Sequence, residues 1–495
     1  MPVTNIYAIG AFAALGGILF GFDVGSNSGI IGMEQYLAYF DHPSSSLQGG
    51  INGSLSAGCF VGALASGYFA ERFGRRNSIA FSALLFIVGS AVTCAAQDVP
   101  MLIVGRIFNG LCVGLTSMLV PLYQAEIAPK EIRGRLVSVQ QWAITWGIFI
   151  SFWIQFGTSH MEGNIAWRLP YGIQAIPAVI LFFGMFFFPR SPRWLANKGR
   201  TEEALQTLAL LHSKGDINHP YVQAEFEAIN EAIRYDREVA GTTEWRDLFR
   251  GTIGHRVFLG VSLQMWQQLT GMNIIMFYVV YLAQQAGIKG QSASLLASGI
   301  SYIVNVIFTI PAILFVDKWG RRPTLIVGSA FMTVCMVVVG SILAGVGDVV
   351  PKNIDTPGDG LKTIDMHENT SATYGIIAMV YIFVACFATT WGPTGWIYPA
   401  EIFPQRVRAK ANSLSTASNW LFNYLLSQLV PIAMEHITYG LYFLFAAFNL
   451  LMTIHVWWQF PETKGKTLED MEVIFAKGAN PRKASEKLHE EKRAQ

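Results

Sequence analysis

Apolar runs long enough to cross a bilayer recur twelve times along the chain, near residues 6–31, 50–71, 78–96, 101–124, 135–157, 169–188, 257–286, 292–316, 323–346, 373–399, 411–434 and 438–460. Each run predicts one transmembrane helix. The polar gaps between them sort by charge. Thirty of the 35 Lys and Arg residues fall in the gaps that begin at Arg72, Lys130, Arg190, Lys318 and Arg406, or in the C-terminal tail. The opposite gaps hold Arg168, Lys289, Lys352 and Lys362, and Arg106 lies inside a run. Basic residues mark the cytoplasmic side. The alternation never breaks, so both termini are expected in the cytoplasm. The first run lacks a basic leader and a small-residue cleavage site, so it is expected to stay as a helix.

Composition agrees with this pattern. Only 14% of the 495 residues are charged and mean hydropathy is +0.38, against about 25% charged in soluble domains. Cys59, Cys94, Cys112, Cys335 and Cys386 all fall in the apolar runs and have no metal-ligand spacing. No metal or cofactor is therefore expected. Nucleophile–base pairings and phosphate loops are missing as well, so an enzyme is not expected. Nothing points to nucleic acid. Four parts are expected: residues 1–189 with six helices, a cytoplasmic linker at 190–256, residues 257–460 with six more helices, and a charged tail at 461–495. The linker predicts two or three short amphipathic helices, with Thr201 as one cap and Pro220 opening another. Residues 347–372 form an acidic extracellular loop, expected to be loosely ordered. There Asn369–Thr370–Ser371 has the pattern of a glycosylation acceptor.

The chain repeats itself. Tyr123–Gln124–Ala125–Glu126–Ile127–Ala128–Pro129 returns as Tyr398–Pro399–Ala400–Glu401–Ile402–Phe403–Pro404. Glu71–Arg72–Phe73–Gly74–Arg75–Arg76 returns as Asp317–Lys318–Trp319–Gly320–Arg321–Arg322, and Pro189–Arg190–Ser191 as Pro461–Glu462–Thr463. Each copy follows the equivalent run, so two parallel six-helix halves are expected, with a site between them. The repeated acids and arginines could clasp helix ends on the cytoplasmic side. Glu126 with Arg133 and Glu401 with Arg408 are placed for such pairs, with Arg75, Arg76, Arg321 and Arg322 close by. Such a network could close one side in one state and break in the other; simple anchoring is the alternative.

Few polar groups lie inside the runs. Gln267, Gln268 and Asn273 interrupt the seventh, around Gly271. Buried amides without partners are costly, so they should face a cavity or hold neighbouring helices together. Asp23 and Arg106 are the charges within runs. Helix rise puts both roughly 22–25 Å above the inner face, where a salt bridge is expected.

These motifs carry a family resemblance over nearly the whole chain. Gly67-x3-Glu71-Arg72-x-Gly74-Arg75-Arg76, Glu126 followed by Arg133–Gly134, Pro189–Arg190–Ser191–Pro192–Arg193–Trp194–Leu195 and Pro461–Glu462–Thr463–Lys464–Gly465 resemble the sugar porters of the major facilitator superfamily. In overall look the chain is closest to fungal hexose and pentose transporters. Two positions depart from the family pattern: Glu71 for Asp, and Arg190 for Glu. The resemblance implies an all-α polytopic protein, with twelve transmembrane helices in two pseudo-symmetric bundles and a short cytoplasmic helical linker. It implies a plasma-membrane monosaccharide transporter working as a monomer, with sugar and proton as partners. A facilitator and a non-transporting sugar sensor are the alternatives. It assigns sugar contacts to Gln141, Gln267, Gln268, Asn273, Asn305, Trp396, Asn419 and Trp420. It assigns an outer gate to Phe277 and Tyr278, and proton coupling to Asp23 and Arg106. Its gating network takes in Glu71, Arg75, Arg76, Glu126, Arg133, Asp317, Arg321, Arg322, Glu401 and Arg408. Helix rise places Gln141 roughly 9 Å, Gln267 roughly 15 Å and Asn419 roughly 12 Å above their inner ends, depths that one cavity could share. Gly392, Pro393 and Gly395 should break the tenth helix there.

Overall fold

The computed structural model describes residues 5–30, 33–240, 245–273, 275–276, 291–350, 363–365, 369–467, 470–476 and 478–494. Among them, nine helices are long and apolar enough to cross a membrane. Arg133–Thr158, Gly251–Leu269 and Arg408–Ile437 fall below that hydropathy. These are the fifth, seventh and eleventh spans, and they carry most of the amides. Their lower hydropathy reflects polar side chains turned inward, and with them the described residues agree with twelve helices in two six-helix bundles.

Several spans are interrupted. The first runs Ile6–Ala13 and Leu15–Ile30, and the sixth Ile165–Ile173 and Ala175–Gly184. The seventh ends its regular part at Leu269, and Gly271 follows at φ 89°. A side chain there would be strained and would press on Met336 and Phe445. The tenth runs Thr370–Thr389 and Trp391–Ile402. Its break is at Thr390 (φ −122°, ψ −81°), just ahead of the Gly–Pro pair expected to cause it.

Each half has its own core. Residues such as Phe86, Leu119 and Tyr123 build the first, and Met332, Phe387 and Phe445 the second. A smaller cluster joins the halves through Ala125, Val137, Ile144, Val316, Trp396 and Ala400. Among its described residues the linker holds three α-helices, Pro192–Asn197, Thr201–His212 and Pro220–Ala240, and a short 3-10 helix, Trp245–Phe249. Pro220 opens its helix as expected. Thr201 is already the first helical residue and does not cap; the cap position belongs to Arg200. Asp348–Val350 pairs antiparallel with Thr363–Asp365. Asn369 caps the tenth span through Ala372 N at 3.1 Å.

Candidate functional site

Just after the tenth-span break, Gln267 reaches the first turn of Trp391–Ile402, its Nε2 donating to Trp391 O and Gly392 O, both at 3.0 Å. Its Oε1 accepts from Asn419 Nδ2 at 2.8 Å, and Asn419 donates also to Gln264 Oε1 at 2.7 Å. Gln264 Nε2 then reaches Gly395 O at 2.8 Å. Gln268 donates to Asn419 Oδ1 at 2.8 Å and accepts from Asn273 at 2.6 Å and Asn423 at 3.2 Å. Amides from the seventh and eleventh spans thus wire both helices to the broken tenth. In the low-dielectric interior such satisfied networks hold rotamers firmly.

A cavity opens against this network, between the halves. Gln141, Gln267, Gln268, Asn273, Asn305, Trp396 and Asn419 line it, as do Phe20, Ile144, Met272, Tyr302 and Phe387. Trp396 Nε1 donates to Gln141 Oε1 at 3.0 Å across the halves. Asn305 is 3% exposed, yet its Oδ1 has no protein donor. A wall of amides and indole facing apolar and aromatic residues suits a ligand with hydroxyls on its edge and C–H groups on its face.

Trp420 is not part of this wall. Its indole donates to Ser117 Oγ at 3.1 Å and packs on Phe20, 4.9 Å between centroids, in the interface with the first half. It follows Asn419 by one residue, a rotation of about 100° on a helix. Phe277 and Tyr278 lie outside the described residues. Sequence reasoning missed Gln264 and Asn423. They stand three residues before Gln267 and four after Asn419, the spacing that shares a helix face.

Asp23 and Arg106 are both fully buried in the first half, but no salt bridge joins them. Asp23 Oδ1 accepts from Asn109 Nδ2 at 3.3 Å, and its Oδ2 has no protein partner. Arg106 donates instead to Ile51 O at 3.0 Å and Tyr171 Oη at 3.5 Å. Their shared depth was right, but Asn109 stands where the guanidinium was expected. Gln174, at the break of the sixth span, adds two buried amide atoms without protein partners.

On the cytoplasmic side the repeats form matching clusters. Glu126 binds Arg75 at 2.7 Å and Ser191 Oγ at 2.5 Å. Glu401 binds Arg321 at 2.7 Å and Thr463 Oγ1 at 2.6 Å. These replace the expected Glu126–Arg133 and Glu401–Arg408 pairs. Gly74 and Gly320, at φ 81° and 92°, turn the chain so that Arg75 and Arg321 open the next helix facing back toward the acids. Arg408 donates to Phe403 O at 3.0 Å and to Gln405. Arg133, the first residue of the fifth span, is buried. Arg76 and Arg322 cap the ends of the sixth and twelfth spans, at Phe188 O and Trp457 O.

The two halves meet through the remaining acids. Asp317 accepts from Gly134 N at 3.1 Å and Arg135 N at 2.8 Å, and pairs with Arg321 at 2.9 Å. Glu71 reaches Lys410 only at 3.8 Å. Toward the outside, Ser56 Oγ donates to Asn423 Oδ1 at 2.8 Å and Gln428 to Gly49 O at 3.2 Å.

Two duplicated bundles with a polar cavity between them are the architecture of a membrane transporter. The sequence profile of the "Sugar (and other) transporter" family matches residues 9–475, and the chain belongs to that family. It is 48% identical to MFS glucose transporter mfs1 of Aspergillus flavus, covering 96% of this chain and 90% of that one. It is 44% identical to the high-affinity glucose transporter of Kluyveromyces lactis, covering 96% and 85%. Among solved structures, the proton:xylose symporter XylE bound to 6-bromo-6-deoxy-D-glucose matches with a TM-score of 0.82 at 29% identity, over 95% of this chain and 99% of that one. XylE in its inward-open conformation, from E. coli, matches at 0.66, at 29% identity over 94% and 99%. The protein is a multi-pass sugar transporter of the major facilitator superfamily.

Proposed function

We propose that the chain is a plasma-membrane monosaccharide transporter for a hexose or pentose, working as a sugar:proton symporter by alternating access. The observation that carries the sugar assignment is Asn305. Its buried Oδ1 lines the cavity without a protein donor, opposite the amide network. A sugar hydroxyl donating there would complete it, while Trp396 covers a C–H face and Gln141 and Gln267 read further hydroxyls. Residues 1–189 and 257–460 rock about this site, carried by the linker at 190–256 and the tail at 461–495. Both termini are cytoplasmic and the functional unit is one chain. The names of the fungal relatives support glucose as the first substrate to test.

Proton coupling rests on Asp23. The amides of Asn109 and Gln174, rather than Arg106, stand against its carboxylate, an arrangement suited to a protonated acid that has released Arg106. Deprotonation would draw Arg106 back and bias the first and fourth spans toward another state. A facilitator is favoured by the same lack of a direct Asp23–Arg106 bond, if the two never pair. Uptake of labelled glucose into proteoliposomes, with and without an inward pH gradient, separates the readings. Symport predicts accumulation only with the gradient, and its loss in Asp23→Asn with counterflow retained. Accumulation that persists in Asp23→Asn refutes the assignment.

A further inference from the structure

The tail does not trail away from the second half. After the twelfth span it runs beneath the bundle, forms the short helix Asp470–Ile474, and returns as Pro481–Ala494. Glu472 pins the first helix through two 3.1 Å bonds to the buried Arg256 of the seventh span. The second helix is held by one residue above all. Ser485 is 1% exposed, and its Oγ donates to Glu462 O at 2.7 Å. Lys466 Nζ, also buried, donates to Ser485 O at 2.8 Å, to Glu462 O at 3.0 Å and to Ser485 Oγ. Around this hub, Arg482 lies over the Trp457 ring at 5.8 Å, and Leu488 packs on the core of the second half.

The hub touches the cytoplasmic clasp. The Glu462 carboxylate accepts from Arg321 N at 2.9 Å and Arg322 N at 3.1 Å, the first two residues of the ninth span. The side chain of that same Arg321 carries Glu401 and Asp317, and Asp317 crosses to the first half. What holds Ser485 therefore also braces the start of the helix on which the clasp is built.

The sequence around the hub has a second property. Ser485 is the one serine or threonine after Thr467, and Arg482 and Lys483 precede it by three and two residues. Kinases whose acidic clefts bind basic side chains on the N-terminal side of a serine recognise that arrangement.

We propose that Ser485 is a phosphorylation site for a basic-residue-directed protein kinase, and that its phosphate and the docked tail helix exclude one another. The γ-phosphoryl of ATP passes to Ser485 Oγ. The bond to the β-phosphate oxygen breaks, ADP leaves, and the hydroxyl proton goes to the carboxylate base of the kinase. The product carries about −1.5 to −2 charges and three acceptor oxygens. Its place in the docked helix is a sealed contact already filled by the Glu462 carbonyl and Lys466. The kinase takes the serine when the helix swings out, and the phosphate keeps it out. Lys466 and Glu462 then lose their brace, and the shut cytoplasmic side loses stability. Only this last effect rests on the transport reading.

The test uses the full chain in lipid nanodiscs, with the catalytic subunit of a cyclic-AMP-dependent protein kinase and MgATP. Mass spectrometry should find one phosphate on Ser485, absent in Ser485→Ala. Hydrogen exchange across residues 481–490 should rise about tenfold on phosphorylation. Leu488→Lys, which frees the helix without phosphate, should raise exchange similarly and take phosphate faster. No phosphate on Ser485 in either wild type or Leu488→Lys overturns the site. Phosphate on Ser485 with unchanged exchange overturns the exclusion. Neither readout involves a sugar, so a failure here is distinct from a failure of the transport assignment.

Discussion

Asp317→Asn tests the proposal that bonds between the halves hold their basic-loop side shut. The Asp317 carboxylate takes two N–H groups from the first turn of the fifth span, at 3.1 and 2.8 Å, and the Arg321 guanidinium at 2.9 Å. Hydrogen bonds to a charged group contribute about 1.5–3 kcal/mol each. A negative charge at a helix N-terminus adds about 0.3–1 kcal/mol. Asparagine keeps the size and one acceptor oxygen but turns its NH2 toward the remaining donors. A net loss of about 2–4 kcal/mol from the shut state follows, if opening breaks these bonds. At ~1.4 kcal/mol per decade, the shut-to-open ratio falls by about thirty to several hundred fold. Spin labels at the exposed Glu131 and Lys318, one in each half, report the separation by double electron–electron resonance. The variant should shift the distance distribution toward longer values in the absence of sugar. A distribution identical to that of the unsubstituted protein would refute the clasp.

The remaining predictions are smaller. Asn305→Ala and Gln267→Ala should each weaken sugar binding by about ten- to a hundredfold, read by Trp396 fluorescence. Only Gln267→Ala should also lower the melting temperature, because it removes the bonds that tie the seventh and eleventh spans to Trp391 O, Gly392 O and Asn419. Trp420→Phe should leave affinity within about twofold while lowering stability through the lost bond to Ser117; a large affinity loss would put the indole back in the site. In the linker, burial holds the His212 imidazole below its usual value of 6.5. Above that pH both folded and unfolded linkers are neutral there. As pH falls through it, the unfolded linker takes the proton first, so stability declines. Protection factors across 201–234, which correct for the intrinsic slowing of exchange in acid, should fall as pH drops below about 6.5, less so in His212→Phe; an equal fall in both would remove His212 as the cause.

What the sequence made legible was depth and order along the chain. Run length, alternating basic residues and repeated motifs give twelve spans and their duplication, because burying a backbone in lipid demands them. Direction around each helix was less legible. Trp420 has the depth of Asn419 and faces another way. Asp23 and Arg106 share a level, but the carboxylate finds Asn109. The partners of Glu126 and Glu401 depended on Gly74 and Gly320, whose positive φ aims the next helix. Gln264 and Asn423 were legible by helical spacing and were passed over because they stand outside the recognised motifs.

The repeats also show where the halves have diverged. Both clusters keep the acid, the helix-opening arginine and the hydroxyl, so the acid–arginine–hydroxyl unit is common to both. Glu462 additionally caps the ninth span at Arg321 N and Arg322 N. Its counterpart is Arg190, which lies over Trp194 at 5.6 Å and turns a like charge toward Arg76. Among the described residues, no side chain bonds Arg75 N or Arg76 N as Glu462 bonds Arg321 N and Arg322 N. Asp317 crosses to backbone N–H groups, whereas Glu71 makes one long, half-exposed pair. Caps contribute about 0.5–2 kcal/mol and exposed pairs about 0–1 kcal/mol. The second half therefore holds the stronger side of the clasp, and it also carries most of the amide site. The first half holds the weaker side and the buried Asp23. On the proposed reading, substrate recognition and closure are concentrated in one copy of the duplication, and the proposed proton site lies in the other.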